Sequence, residues 1–309
     1  MSEQKKYPEW ILWCVVLAWG ANYVIGKLGM IGFDPLTFSV LRFAGATPIL
    51  FILLYLLEKD IRVKLKDCIG LAVIGLVGIT IYQTLFMTTV KYATATNASL
   101  LLAISPVFTA IFAWMAGQES LGIKGRWGSA LAFLGVTFVM LFGENKLAMG
   151  SDVWFGDLIG LLSTSIWGFY PVLTKPMLAK YSALKTVTYS ALFGTIFLFL
   201  AALPRLSGIQ WQGIPTVSWG SLLYSIGPVT AFGLVAWYHG ISKVGTNRVM
   251  AYMYLIPFVA VVTAVFFLGE RMHLLQIVGA VGIFMGIRLI KQDKEVIREA
   301  QTNRTKSLA

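Results

Sequence analysis

The sequence predicts an all-α membrane protein, with ten transmembrane helices arranged as a five-plus-five inverted repeat. Three observations predict it. The 309 residues are 57% hydrophobic and only 13% charged, with a mean hydropathy of +0.76, whereas a soluble chain carries roughly 25% charged residues. Apolar runs reach the ~20 residues that a helix needs to cross ~30 Å of hydrocarbon, without the two-residue alternation of a membrane barrel. Segments of the first half recur, in order, in the second.

Apolar segments lie at about 10–31, 36–57, 68–90, 94–116, 124–143, 154–177, 184–204, 218–240, 246–268 and 274–291. The first holds "AWGANYVIGK" at 18–27, and helical spacing puts Trp19, Asn22, Tyr23 and Gly26 on one face. The second carries Arg42 about two turns in, within reach of Asp34 or a carbonyl, and this arginine reads as structural. The third brings Tyr82, Gln83 and Thr84 into the membrane, and the fourth, "LLLAISPVFTAIFAWMAGQE", has Pro106 at mid-span. The fifth shows small residues in "GSALAFLG". The sixth, with "IWGFYPVLTK" at 166–175, groups Trp167, Tyr170, Pro171 and Thr174 on one face and has Asp157 near its outer end. Apolar length alone identifies the seventh. The eighth adds Trp237, Tyr238 and His239, and the ninth Tyr252, Tyr254 and Pro257. The tenth has a GxxxG spacing at Gly282 and Gly286.

Lys and Arg set the orientation. With the N-terminus in the cytoplasm, the inner segments and tail hold 17 of them, while the outer loops hold four, Lys91, Lys146, Arg205 and Arg271. This predicts a multi-pass protein of the plasma membrane with both termini cytoplasmic. The charges are dispersed and form no single basic face, which excludes a nucleic-acid partner.

The repeat is explicit. "IWGFYPVLTK" echoes "AWGANYVIGK" at an offset of 148, and "AYMYLIPFVAVVTAVFFLGE" (251–270) echoes 100–119 at 151. The second offset matches Pro106 to Pro257, Glu119 to Glu270, Gly128 to Gly279 and Gly135 to Gly286. Residues 1–143 form one unit, 154–291 a second, and 292–309 a cytoplasmic tail. Five helices is an odd number, so the second unit starts from the opposite side and is inverted. The first span has a counterpart in the second half and is therefore a structural helix, not a signal peptide.

"WGANYVIGKLG…PLTFSVLRF" and the "SPVFTAIFAWMAGQE"/"IPFVAVVTAVFFLGE" pair resemble the EamA family of the drug/metabolite transporter superfamily. The resemblance covers spans one to ten. It implies carriage of small metabolites, often efflux of amino acids or related compounds, through a cavity lined by helices 1, 3, 4, 6, 8 and 9. The second copy departs from the first, with Tyr170 opposite Asn22 and Thr174 opposite Gly26, and the substrate stays open.

Both Trp-Gly pairs fall at the bilayer midplane, where carrier sites lie. Trp19, Asn22, Tyr23, Tyr82, Gln83, Trp167, Tyr170 and Tyr252 are the substrate-binding candidates. Their polar tips need partners in hydrocarbon, either in a wet cavity or, as the alternative, in helix packing. Lys27 and Lys175 lie at opposite mouths, as gates that attract an anionic group or as side chains that snorkel to water. Pro106 and Pro257 are hinges or static kinks. No carboxylate lies deep in a span, so proton coupling lacks an obvious carrier, with Asp157 the nearest candidate. The small faces of spans five and ten suit scaffold packing or a homodimer contact.

Cys14 and Cys68 lack metal-ligand spacing, and no P-loop, HExxH or Ser-His-Asp arrangement is present. No metal, cofactor or enzymatic activity is expected. The sequence therefore predicts a secondary transporter of small metabolites, with amino acids or related amphipathic solutes as cargo. It would work as an exporter by alternating access around a midplane cavity. A flippase for a lipid-linked metabolite and a non-transporting membrane scaffold are the alternatives.

Overall fold

The computed structural model describes residues 10–117, 120, 122–142, 151–244, 249 and 252–308. Lys5, Lys6, Glu119, Lys146 and Arg248, which entered the charge and repeat arguments, lie outside the described residues, as does the side chain of Tyr238. Among the described residues the chain is helical, with no strand.

Helices α1 (Trp10–Gly29) and α2 (Pro35–Glu58) are followed by a stretch in three parts: α3 (Cys68–Gly75), a π segment (Leu76–Ile81) and α4 (Tyr82–Tyr92). Then come α5 (Ala95–Ala103), α6 (Ser105–Met115) and α7 (Ile123–Phe142). The second half opens with α8 (Ser151–Leu178) and α9 (Ala183–Leu206). It continues with α10 (Thr216–Tyr224), a second π segment (Ser225–Phe232), α11 (Gly233–Val244), α12 (Ile256–Leu268) and α13 (Leu274–Leu308).

Local chemistry starts and stops these helices. Asp34 caps α2, its Oδ1 accepting from the backbone of Leu36 at 3.1 Å and Thr37 at 3.2 Å, with Pro35 at the first helical position. Thr94 caps α5 and Ser182 caps α9, each accepting a backbone N–H at 3.0 Å. Gly269, at φ +67°, ends α12 in the left-handed conformation that a side chain would strain.

Among the described residues, eight helical stretches are long and apolar enough to cross a membrane, including Leu65–Tyr92, Ala95–Met115 and Thr216–Trp237. The 28-residue α8 and the 13-residue α12 fall outside that set. Bulky apolar side chains point outward, with Phe258, Phe266 and Phe267 69–80% exposed. A soluble monomer rarely shows such a surface. This is a multi-pass membrane protein.

Pro106 and Pro257 do not bend continuous helices, as their mid-span positions suggested. Each sits in the first turn of a restarted helix, α6 or α12, after a break of one residue at Ile104 or of two at Tyr254 and Leu255. Proline is tolerated there because the first-turn N–H has no helical partner to lose.

The packing partners come in exchanged couples. Helix α1 packs on α10 and α12, and α8 packs on α4 and α6. The first π segment packs on α9, and the second on α2. Gly20 and Gly168, the glycines of the two Trp-Gly pairs, make the same kind of approach. A Cβ on Gly20 would lie 3.1 Å from the Ile256 carbonyl oxygen, and one on Gly168 would lie 2.8 Å from that of Ser105. Ile256 and Ser105 each precede a helix-restarting proline, so each Trp-Gly step abuts the break in a crossing span.

Helix α7 packs along α13, glycine to glycine. A Cβ on Gly135 would lie 2.5 Å from the Gly279 oxygen, and one on Gly128 would lie 2.6 Å from the Gly286 oxygen. Of the two roles the sequence gives these small faces, scaffold packing or a homodimer contact, the α7–α13 contact within the chain is scaffold packing.

Polar contacts tie the helix ends. At one end Lys180 meets Asp67 at 2.6 Å and Lys185 meets Asp60 at 2.9 Å. The Lys185 side chain and then the Arg62 backbone hold the Asp60 carboxyl below the usual range. At the other end Arg205 meets Asp34 at 3.3 Å, and Glu270 accepts from the backbone of Ala95 and Thr96 at 2.8 and 3.0 Å. Asp157, placed near a helix end by sequence, is fully buried and accepts from Asn97 Nδ2 at 2.9 and 3.1 Å. Gln276 Nε2 donates to the same asparagine at 2.6 Å, so α5, α8 and α13 share one polar knot.

Candidate functional site

The two π segments, α1, α2, α4 and α8, joined by Leu102, Val187, Leu234, Met253 and Ile256, surround a cavity of about 100 Å³. That is several times the ~10–15 Å³ that one water requires. A π turn widens a helix by one residue and leaves backbone carbonyls out of register, which is why such turns gather at functional sites. Here the second π segment puts the Val229 carbonyl where Trp19 Nε1 donates to it at 2.9 Å. It also puts Ser225 Oγ 3.0 Å from Asn22 Oδ1.

The aromatic wall is layered. Trp167 stacks on Tyr82 with ring centroids 4.6 Å apart and on Tyr170 at 5.3 Å. Tyr23 meets Phe86 edge to face at 5.5 Å, and Trp19 leans on Trp237 at 5.1 Å. Glycines make room for these rings: Gly78 lies under Tyr170, and Gly233 under Trp19.

Arg42 lines the same cavity and is 5% exposed. Its Nε donates to Thr230 Oγ1 at 2.7 Å, and Nη1 reaches Gln83 Oε1 at 3.4 Å. Thr230 Oγ1 in turn donates a hydrogen bond to the Ser225 carbonyl at 2.7 Å, a five-residue step within the π segment. Among the described residues no carboxylate pairs with Arg42.

Known proteins resemble this chain along nearly its whole length. The EamA-like transporter family matches residues 8–141 and again 154–292. The chain belongs to that family. Relatives include YyaM of Bacillus subtilis, an uncharacterized transporter, 26% identical over 87% of this chain and 88% of its own. An uncharacterized transporter of Archaeoglobus fulgidus is 28% identical over 90% of this chain and 95% of its own. A probable terminal-alkyne amino-acid exporter of Streptantibioticus cattleyicolor is 29% identical, over 92% of this chain and 93% of its own. A solved crystal structure shares the fold, with a TM-score of 0.61 over 93% of this chain and 97% of that one at 17% identity.

In this EamA-family chain the cavity gathers Trp19, Asn22, Tyr23, Tyr82, Gln83, Trp167 and Tyr170. It leaves Tyr252 out. Tyr252 packs edge to face on Trp13 at 5.7 Å, and its neighbour Met253 faces the cavity instead. One residue turns a helix by ~100°, which is enough to exchange the two. Thr230 and Met253 are further cavity residues: Thr230 stands outside the echoed segments, and Met253, inside one, has no polar group to mark it in an apolar run. The sequence offers Arg42 either Asp34 or a carbonyl as its partner. The structure gives Asp34 to its own helix cap and to Arg205.

Lys27 is placed at a helix end. It is half-buried and donates to the Ala93 carbonyl at 2.5 Å, at the C-terminal cap of α4 where a cation suits the helix dipole. Lys175 is exposed.

Proposed function

We propose that this chain carries a small metabolite across the plasma membrane by alternating access around the central cavity. Ten crossing helices in a five-plus-five inverted repeat would expose that cavity to each side in turn. Both termini would face the cytoplasm, and Lys27 and Lys175 would lie at opposite mouths. The observation that carries the reading is the doubling of the site's irregularities. Two Trp-Gly steps abut two proline-started half-helices, and two π segments border one cavity. A scaffold needs none of these costly interruptions, whereas broken helices at a shared midplane site are what carriers use. Trp19, Asn22, Tyr23, Tyr82, Gln83, Trp167 and Tyr170 would form the solute site, and the breaks before Pro106 and Pro257 would act as hinges.

Amino acids or related amphipathic compounds are the proposed cargo and export the proposed direction. Support comes from the aromatic wall with its few polar groups and from the relative named as an amino-acid exporter. The test is purified protein in liposomes loaded with an amino-acid and metabolite panel. Saturable flux that Trp167→Ala lowers at least about tenfold supports the reading, the loss of ~1.4 kcal/mol or more of binding. No saturable flux for any member contradicts it.

A further inference from the structure

Arg42 is the one feature of the cavity that an uncharged solute leaves unexplained. A guanidinium is always charged and carries five donors in a planar fork. Burying one in a membrane protein without a counter-ion is expensive, and such residues mark ligand or ion pathways. Arg42 is 5% exposed, sits about two turns inside α2 and has no carboxylate partner among the described residues.

The contacts say which edge of the fork is free. Nε is committed to Thr230 at 2.7 Å. Nη1 reaches Gln83 only at 3.4 Å, beyond the usual range for such a bond, and Nη2 makes no hydrogen bond to the described residues. Thr230 is itself fixed by its bond to the Ser225 carbonyl, so the guanidinium is held from behind and its terminal Nη1–Nη2 edge stays open. That edge matches the two oxygens of a carboxylate. Apart from Asn22, Gln83 and Thr230, the rest of the lining is aromatic, as at Trp167, Tyr82 and Phe86, or aliphatic, and Arg42 is the single lysine or arginine among the described residues that line it. A phosphate dianion would call for more positive charge.

We infer that the solute is a monocarboxylate with an apolar body, its carboxylate on the Nη1–Nη2 edge of Arg42 and its body against Trp167 and Tyr82. The inference rests on the carrier reading above and gives that carrier's cargo a charge. It also makes the resting protein incomplete, because the solute supplies the missing counter-ion.

The test uses butyrate, 3-phenylpropionate and L-phenylalanine, each paired with its amide. Binding to the purified full-length protein is followed by tryptophan fluorescence, since Trp19 and Trp167 border the site, and flux of the acids is measured in proteoliposomes. The expected result is a preference of about tenfold or more for the acid in at least one pair, the size of a charge-assisted hydrogen bond. Arg42→Gln should abolish that preference, and Arg42→Lys should keep part of it. Equal binding of acid and amide in every pair, including no binding of either, overturns the inference without any variant. So does an acid preference that survives in Arg42→Gln. Acid-selective binding without saturable flux leaves the Arg42 site standing and counts against the carrier reading.

Discussion

At the scale of single residues, the two tryptophans do different work in similar places. Trp19 is fixed by a hydrogen bond to the Val229 carbonyl, whereas Trp167 stacks on Tyr82 and Tyr170 and makes no side-chain hydrogen bond among the described residues. Trp19→Phe keeps a ring and loses the bond. It should therefore lower thermal stability by about 0.5–1.5 kcal/mol, while Tyr82→Leu should lower solute affinity with a smaller effect on melting. Paired melting and flux measurements on the two variants check this, and equal effects on both readouts would contradict it. Most of this site was legible in sequence because Asn and Tyr side chains in an apolar run demand partners, and the Trp-Gly echo pointed to the depth. Arg42 was not, because an acidic residue eight positions away in sequence looked like a partner. The capping bonds that occupy Asp34 appear only in three dimensions.

At the scale of elements, the glycine interface between α7 and α13 and the cap of α2 should govern stability without touching transport chemistry. Gly135→Val inserts carbons where a Cβ alone would lie 2.5 Å from the Gly279 oxygen. The cost expected for such overpacking is about 1–3 kcal/mol or more, seen as a lower melting temperature in detergent. Asp34→Ala should cost about 0.5–2 kcal/mol as a lost cap. Burial pushes the Asp34 carboxyl up, but hydrogen bonds from Thr37 and Leu36 and the charge of Arg205 outweigh it and hold the group below its ordinary value. The stability so gained is present above the unfolded pKa of about 3.9 and is lost as pH falls through the lower folded value. Melting of the wild type should therefore fall more steeply than that of Asp34→Ala as pH drops below about 4, and parallel curves would contradict the assignment. Helix positions were readable because hydrocarbon thickness fixes apolar length. The π segments were not, since a sequence such as "LVGITI" carries apolar bulk and no mark of its hydrogen-bond register.

At the scale of the whole molecule, elements of residues 10–142 pack on elements of residues 151–308 in matching couples. Helix α1 crosses α12 as α8 crosses α6, and each crossing meets the helix break before a proline. The sequence echo pairs Pro106 with Pro257, and the structure adds what no sequence pattern carries: Gly20 and Gly168 approach the carbonyls of Ile256 and Ser105 beside the two breaks. If the halves exchange conformations, a cavity residue meets water from each side in turn. The direct measurement replaces Cys14 and Cys68 by Ser and Met253 by Cys, then applies a membrane-impermeant thiol reagent to right-side-out and inverted vesicles. Alternating access predicts labelling of Met253→Cys from both sides, whereas labelling from one side only, or from neither, would contradict it.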